Sequence, residues 1–196
     1  QNENTLFENA YLRAPDSVIN MTNMASILSK SGKQEEALEK IEETLALEPK
    51  NAPALQLKGQ IKTFMDKPAE AEQSWRDAIK AQSDYLYPYI SLGFLYYKNG
   101  DFKNGESVLQ SAPMEQPLAS IETLLALNKI GLGKNEEVIS SIEGTFGKMP
   151  KEEELRFVLG IAYLKKGDES SAWKFLYSFK NSGTSEEDYL DTIKKT

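Results

Sequence analysis

The stretch ISLGFLYYKNGDFKNGESVL, residues 90–109, decides the fold, because it returns later in the chain as FVLGIAYLKKGDESSAWKFL, residues 157–176. Leu92-Gly93 aligns with Leu159-Gly160, Tyr96 with Tyr163, and Gly100-Asp101 with Gly167-Asp168. The two copies stand 67 residues apart. That is close to two units of about 34 residues, so an intermediate copy is expected between them.

Intermediate copies are present. The turn position is held by Gly32, Asp66, Gly100, Gly133 and Gly167, in steps of 34, 34, 33 and 34 residues. Five residues further on stand Ala37, Ala71, Gly105, Val138 and Ala172. Pro15, Pro49, Pro117 and Pro150 fall near the ends of units, with Ser83 and Thr184 at the equivalent places in two others. A glycine after an apolar-periodic run can take the left-handed conformation that closes a helix, and a later proline stops the next helix from continuing. The pattern predicts antiparallel helix pairs. Small residues let the two helices of a pair approach closely, and Gly93 with Gly105 is expected to make the tightest crossing. A single pair cannot bury its apolar stripe, so the pairs stack into a solenoid.

The spacing resembles that of the tetratricopeptide repeat (TPR) family. Its unit of about 34 residues carries Leu-Gly or Leu-Ala at positions 7 and 8, Tyr at 11, Ala at 20, a large apolar residue at 24, Ala at 27 and Pro at 32. Met24-Ala25, Leu92-Gly93, Leu125-Ala126 and Leu159-Gly160 match positions 7 and 8, and Trp75 and Ala78 match 24 and 27. Phe7, Ala10 and Pro15 fit the second helix of an earlier unit. Departures are Lys58 and Lys62 at positions 7 and 11, Val138 at 20, and Phe179 at 27.

The resemblance implies an all-α fold, a right-handed α-solenoid of tandem antiparallel helix pairs forming one domain. The expected organisation is a half repeat over 1–17 and five repeats over 18–51, 52–85, 86–118, 119–152 and 153–186, followed by a capping helix over 187–196. Ser185, just ahead of that last segment, is a candidate N-cap for it, and Tyr189, Leu190 and Ile193 share one face.

Composition narrows the function. The chain of 196 residues carries 30 acidic and 23 basic side chains, a net charge of -7, which opposes contact with phosphates and argues against nucleic acid or anionic membrane. There is no Cys and no His, which removes thiol chemistry and the commonest general base. No apolar run approaches the roughly 20 residues of a transmembrane helix. GLGKNEE at 131–137 does not satisfy a phosphate loop, since Asn135 replaces the required Ser or Thr. Glu152, Glu153 and Glu154 open a helix, where acids favour the positive end of the dipole. No catalytic, cofactor-binding or metal site is expected.

By the resemblance, positions 2, 5, 9, 12 and 13 of each first helix face the concave wall. The first two repeats place mostly polar residues there, among them Thr22, Ser26, Ser29, Gln56 and Gln60. The last three place Tyr87, Ile90, Phe94, Tyr97, Leu127, Ile130, Phe157, Ile161 and Leu164 there, with Thr123 and Lys165 alongside. An open apolar patch of that size calls for a cover. The expected function is a non-catalytic protein–protein interaction scaffold or adaptor, binding a peptide or helix in this apolar groove. The alternatives are a homo-oligomer whose groove is filled by its own terminal helix, and a regulatory segment of a larger protein. The Lys, Asn and Arg set by which some family members grip a C-terminal carboxylate is represented only by Asn23. A start at Gln1 rather than Met is expected of a processed or excised chain, and inclines the location toward the bacterial cell envelope over the cytoplasm.

Overall fold

The computed structural model describes residues 11–14 and 17–179, and the secondary structure among them is helical. The helices are α1 (Val18–Lys30), α2 (Gln34–Leu47), α3 (Ala52–Phe64), α4 (Pro68–Ala81), α5 (Tyr87–Lys98), α6 (Phe102–Gln110), α7 (Ala119–Gly131), α8 (Asn135–Phe146), α9 (Glu153–Lys166) and α10 (Glu169–Leu176), and a 3-10 turn, Tyr177–Phe179, follows. The half repeat expected over 1–17 lies largely, and the capping helix over 187–196 wholly, outside the described residues.

Five inter-helix turns repeat one hydrogen-bond pattern. Gly32, Asp66, Gly100, Gly133 and Gly167 all have positive φ, from 57° at Asp66 to 93° at Gly167. In each case the following N–H donates to the carbonyl five residues back: Lys33 to Leu28, Lys67 to Lys62, Asp101 to Tyr96, Lys134 to Lys129 and Asp168 to Tyr163, at 2.9–3.0 Å. This is a Schellman closure, and it ends the first helix of each pair at the same point. The residue after the turn is the N-cap of the second helix. The Asp168 carboxylate accepts from the Ser171 N–H at 3.0 Å, and that bond holds its carboxyl below the usual range. The Asp101 carboxylate likewise accepts from the Asn104 N–H, at 3.4 Å. The recurrent Gly-Asp pair is therefore a helix stop followed by a helix start.

The chain divides into two compact units, Gln1–Leu92 and Gly93–Thr196, with the boundary inside α5. In the first unit α1 packs on α2 and α3, α2 on α3, and α3 on α4. Its core joins Ala25, Ala37, Ile41, Ala54, Leu57 and Ile61. Gly59 makes room for Trp75: a β-carbon at 59 would lie 2.3 Å from the indole nitrogen, which donates to the Gln56 carbonyl at 3.1 Å. Gln56 is itself buried, its Nε2 donating to the Ser91 hydroxyl at 2.9 Å, so it does not face a groove. Lys62 stands where the repeat usually has Tyr. Its stem is buried, with the residue only 7 % exposed, and its ammonium reaches Glu70 at 2.7 Å.

In the second unit α6 packs on α7, α7 on α8 and α9, α8 on α9, and α9 on α10. Its main core gathers Ala126, Val138, Ile142, Leu155, Val158, Leu159, Ala162 and Phe175. Gly93 and Gly105 do not serve chiefly to meet each other. The nearest neighbours of a β-carbon at 93 would be Leu109 atoms, at 2.6 Å, and of one at 105 the Asn128 amide. Each glycine makes room for a large side chain, because the sequence offers a bulky partner at the point of closest approach.

Candidate functional site

The second unit contains an apolar pocket of about 950 Å³. α7 supplies Thr123, Leu127, Ile130 and Gly131, and α9 supplies Glu153, Glu154, Phe157, Val158, Ile161 and Lys165. Tyr97 of α5, Phe102 of α6 and Phe179 of the 3-10 turn complete it. Residues 123, 127 and 130, like 154, 157, 161 and 165, follow helical spacing, so each helix turns one stripe toward the space. α7 and α9 are first helices of consecutive pairs and pack directly on one another, which brings the two stripes together.

Aromatic rings organise the walls. Phe157 and Phe179 meet edge to face with centroids 5.0 Å apart, and Tyr97 lies tilted against Phe102 at 6.0 Å. Phe102 also rests against Gly131, where a β-carbon would come within 2.5 Å of its ring. Gly131 thus belongs to a helix end that admits an aromatic ring, and the GLGKNEE stretch is a helix terminus, a turn and a helix start. Behind the pocket, Phe157 and Ile161 rest on a buried layer of Leu164, Ala172 and Leu176.

The structure brings together Tyr97, Leu127, Ile130, Phe157 and Ile161 of the residues expected on the concave wall. Leu164 is a correction: at 3 % exposed it is core, because its position on α9 turns toward α10 rather than into the pocket. Phe94 is 52 % exposed and does not line the pocket. Tyr87 and Ile90 belong to the first unit, the former exposed and the latter half-buried. Expected neighbours Thr123 and Lys165 are both in the lining.

Sequence reasoning missed Phe102, Val158 and Phe179. Phe179 carried a signal, since it departs from the small residue usual at its repeat position. α10 stops at Leu176, and Phe179 stands in the 3-10 turn that follows, where its ring meets Phe157. Glu153 and Glu154, explained by the helix dipole alone, also stand on the pocket's lining.

Tyr163 packs on the same buried layer as Phe157 and Ile161. Partly buried there, it donates its hydroxyl to Glu143 at 2.7 Å. That hydrogen bond, assisted by burial and nearby carboxylates, raises its pKa to about 12. Its ring stacks on Phe175 at 5.7 Å. Among the described residues no group of three or more acidic, His or Cys side chains is placed to hold a metal ion. No helix among them is long and apolar enough to cross a membrane. The chemistry the site offers is burial of apolar side chains, within the volume range of small-ligand and peptide-anchor clefts.

Sequence comparison finds no matching family model and no matching curated protein. Structural comparison finds similar folds. A tetratricopeptide repeat protein from Parabacteroides merdae matches with a TM-score of 0.62 and 18 % identity, covering 98 % of this chain and 75 % of that one. YrrB, a TPR protein with an unusual peptide-binding site, matches with a TM-score of 0.69 and 19 % identity over 96 % of this chain and 97 % of its own. MamA from Desulfovibrio magneticus RS-1 matches with a TM-score of 0.66 and 17 % identity, covering 92 % of this chain and 96 % of that one. The chain has the tetratricopeptide-repeat fold, an all-helical solenoid type built from helix pairs.

Proposed function

We propose that the chain is a non-catalytic protein–protein interaction scaffold whose second unit receives a peptide or helix in the pocket over α7 and α9. The observation that carries this reading is the pocket itself: about 950 Å³ walled by aromatic and aliphatic side chains from two consecutive first helices. The peptide-binding site of YrrB, on the same fold, supports it by analogy. Burying one large apolar side chain is worth roughly 1.5–3 kcal/mol, against an association cost of about 4–15 kcal/mol. Several anchors together then reach binding of about micromolar strength.

The test is selection of a displayed random-peptide library on the immobilised full chain, with a Phe157→Glu variant as control and circular dichroism to verify its fold. Peptides enriched on the wild type and lost on the variant are the expected result. Equal retention by both would move binding away from the pocket, and failure to enrich any peptide would overturn the reading.

A second reading is favoured by Phe179, which ends the described chain packed against Phe157. In it the pocket is filled by this protein's own following segment, supplied by a second copy. Light scattering separates the two, because that reading requires a dimer or larger assembly at micromolar concentration.

A further inference from the structure

The pocket is apolar in the middle and charged at both ends of α9. Glu153 and Glu154 line it at the start of the helix, Phe157 and Ile161 along it, and Lys165 at its end. Glu154 and Lys165 are 11 residues apart, which places them about 16 Å from each other along the helix axis. Glu153 and Glu154 make no ion pair with another described residue, whereas Lys165 is not without a partner of its own. The helix dipole accounts for acids being stable at this end. Once a ligand covers the apolar wall, however, these two carboxylates lose water on the same side on which its side chains arrive.

From this we infer that the pocket selects peptides in which an apolar anchor is flanked by Lys or Arg and excludes those flanked there by Asp or Glu; the inference rests on the peptide-binding reading above. Two carboxylates set against one engaged ammonium leave the rim favouring cations. An apolar wall strengthens such pairing as water is displaced. A net charge of -7 adds long-range attraction for a basic ligand and speeds its arrival. The geometry also sets the register. Phe157 follows Glu154 by three residues, or roughly 4.5 Å of helix, so an extended peptide presents the basic residue within about two positions of its anchor. Like-charge juxtaposition makes the exclusion of acidic flanks as much a part of the specificity as the attraction.

The test uses one peptide from the enriched pool in three fluorescein-labelled versions, with Lys, Gln or Glu at the position beside its anchor. Anisotropy titrations are run on the full-length wild type, on Glu153→Gln/Glu154→Gln and on Phe157→Glu, each checked by circular dichroism. The wild type is expected to bind in the order Lys, Gln, Glu, each step weakening binding about two- to ten-fold. The double Gln variant should compress the three to within about two-fold and lose most of the salt dependence. If the wild type ranks the three equally, or the double variant keeps the ranking, the charge selection is wrong. Should Phe157→Glu still abolish binding in that case, the peptide-binding reading survives alone. If the wild type binds none of them, both fall.

Discussion

Asn128 sets its amide oxygen against Gly105 so closely that a β-carbon at 105 would sit 2.0 Å from Oδ1. Asn128 is fully buried on α7, its Nδ2 donates to the Leu124 carbonyl at 2.8 Å, and its Oδ1 accepts no hydrogen bond. In the direction where other residues carry a β-carbon, glycine offers Oδ1 only a hydrogen, a weak but unobstructed contact. The other repeats have Ala or Val at the position of Gly105 and no Asn to accommodate.

Gly105→Ala is therefore expected to destabilise the protein by about 1–3 kcal/mol through overpacking, despite alanine's better helix propensity. In an Asn128→Ala background the same change should become neutral or stabilising, with a coupling of about 0.5–3 kcal/mol. Urea denaturation of the four proteins measures it. Additive effects would mean that the contact does not constrain position 105.

Asp66 is the one described residue other than glycine with positive φ, and it occupies a turn that four glycines occupy elsewhere. The left-handed conformation costs a side-chain-bearing residue of this kind roughly 1 kcal/mol, part of which glycine returns as greater freedom in the unfolded chain. Asp66→Gly should raise stability by up to about 1 kcal/mol, and Gly100→Ala should lower it by about 1–2 kcal/mol. Thermal or urea unfolding followed by circular dichroism reads both signs.

The Tyr163–Glu143 hydrogen bond predicts an alkaline dependence. The folded-state pKa of Tyr163 is raised to about 12 from an ordinary value near 10. Its neutral form is thus favoured in the folded protein. The stabilisation is complete below pH of about 10 and is lost as pH rises through about 12. The stability gap between wild type and Tyr163→Phe should narrow across that window, and absorbance at the phenolate band should place the titration of Tyr163 above that of exposed tyrosines. A gap that stays constant to high pH would rule out the linkage.

Leu164 and Phe94 carry similar expectations in the sequence but differ in the structure, at 3 % and 52 % exposed. Leu164→Ala should cost about 2–5 kcal/mol, as a large-to-small change in a core, and Phe94→Ser no more than about 0.5 kcal/mol. Equal costs in denaturation would contradict the placement of one in the core and the other at the surface.

The period, the helix stops and the helix starts are legible in the sequence. They depend on backbone rules that act within a few residues: positive φ at Gly32 or Gly167, a capping carboxylate at Asp168, small residues at Ala37 or Ala172. Which side chains converge on the pocket is another matter. Phe157 and Leu127 meet across a space because α7 and α9 pack side by side, whereas Leu164, on the same helix as Phe157, turns into the core instead. Phe179 looked like a misfit on a helix and became a wall of the pocket once the helix ended three residues earlier. Local spacing fixes where the backbone bends, and so the sequence by itself determined the repeat. The pocket depends on distances between helices and on where the last one stops, quantities set by packing that no single repeat contains, and only the tertiary structure decided it.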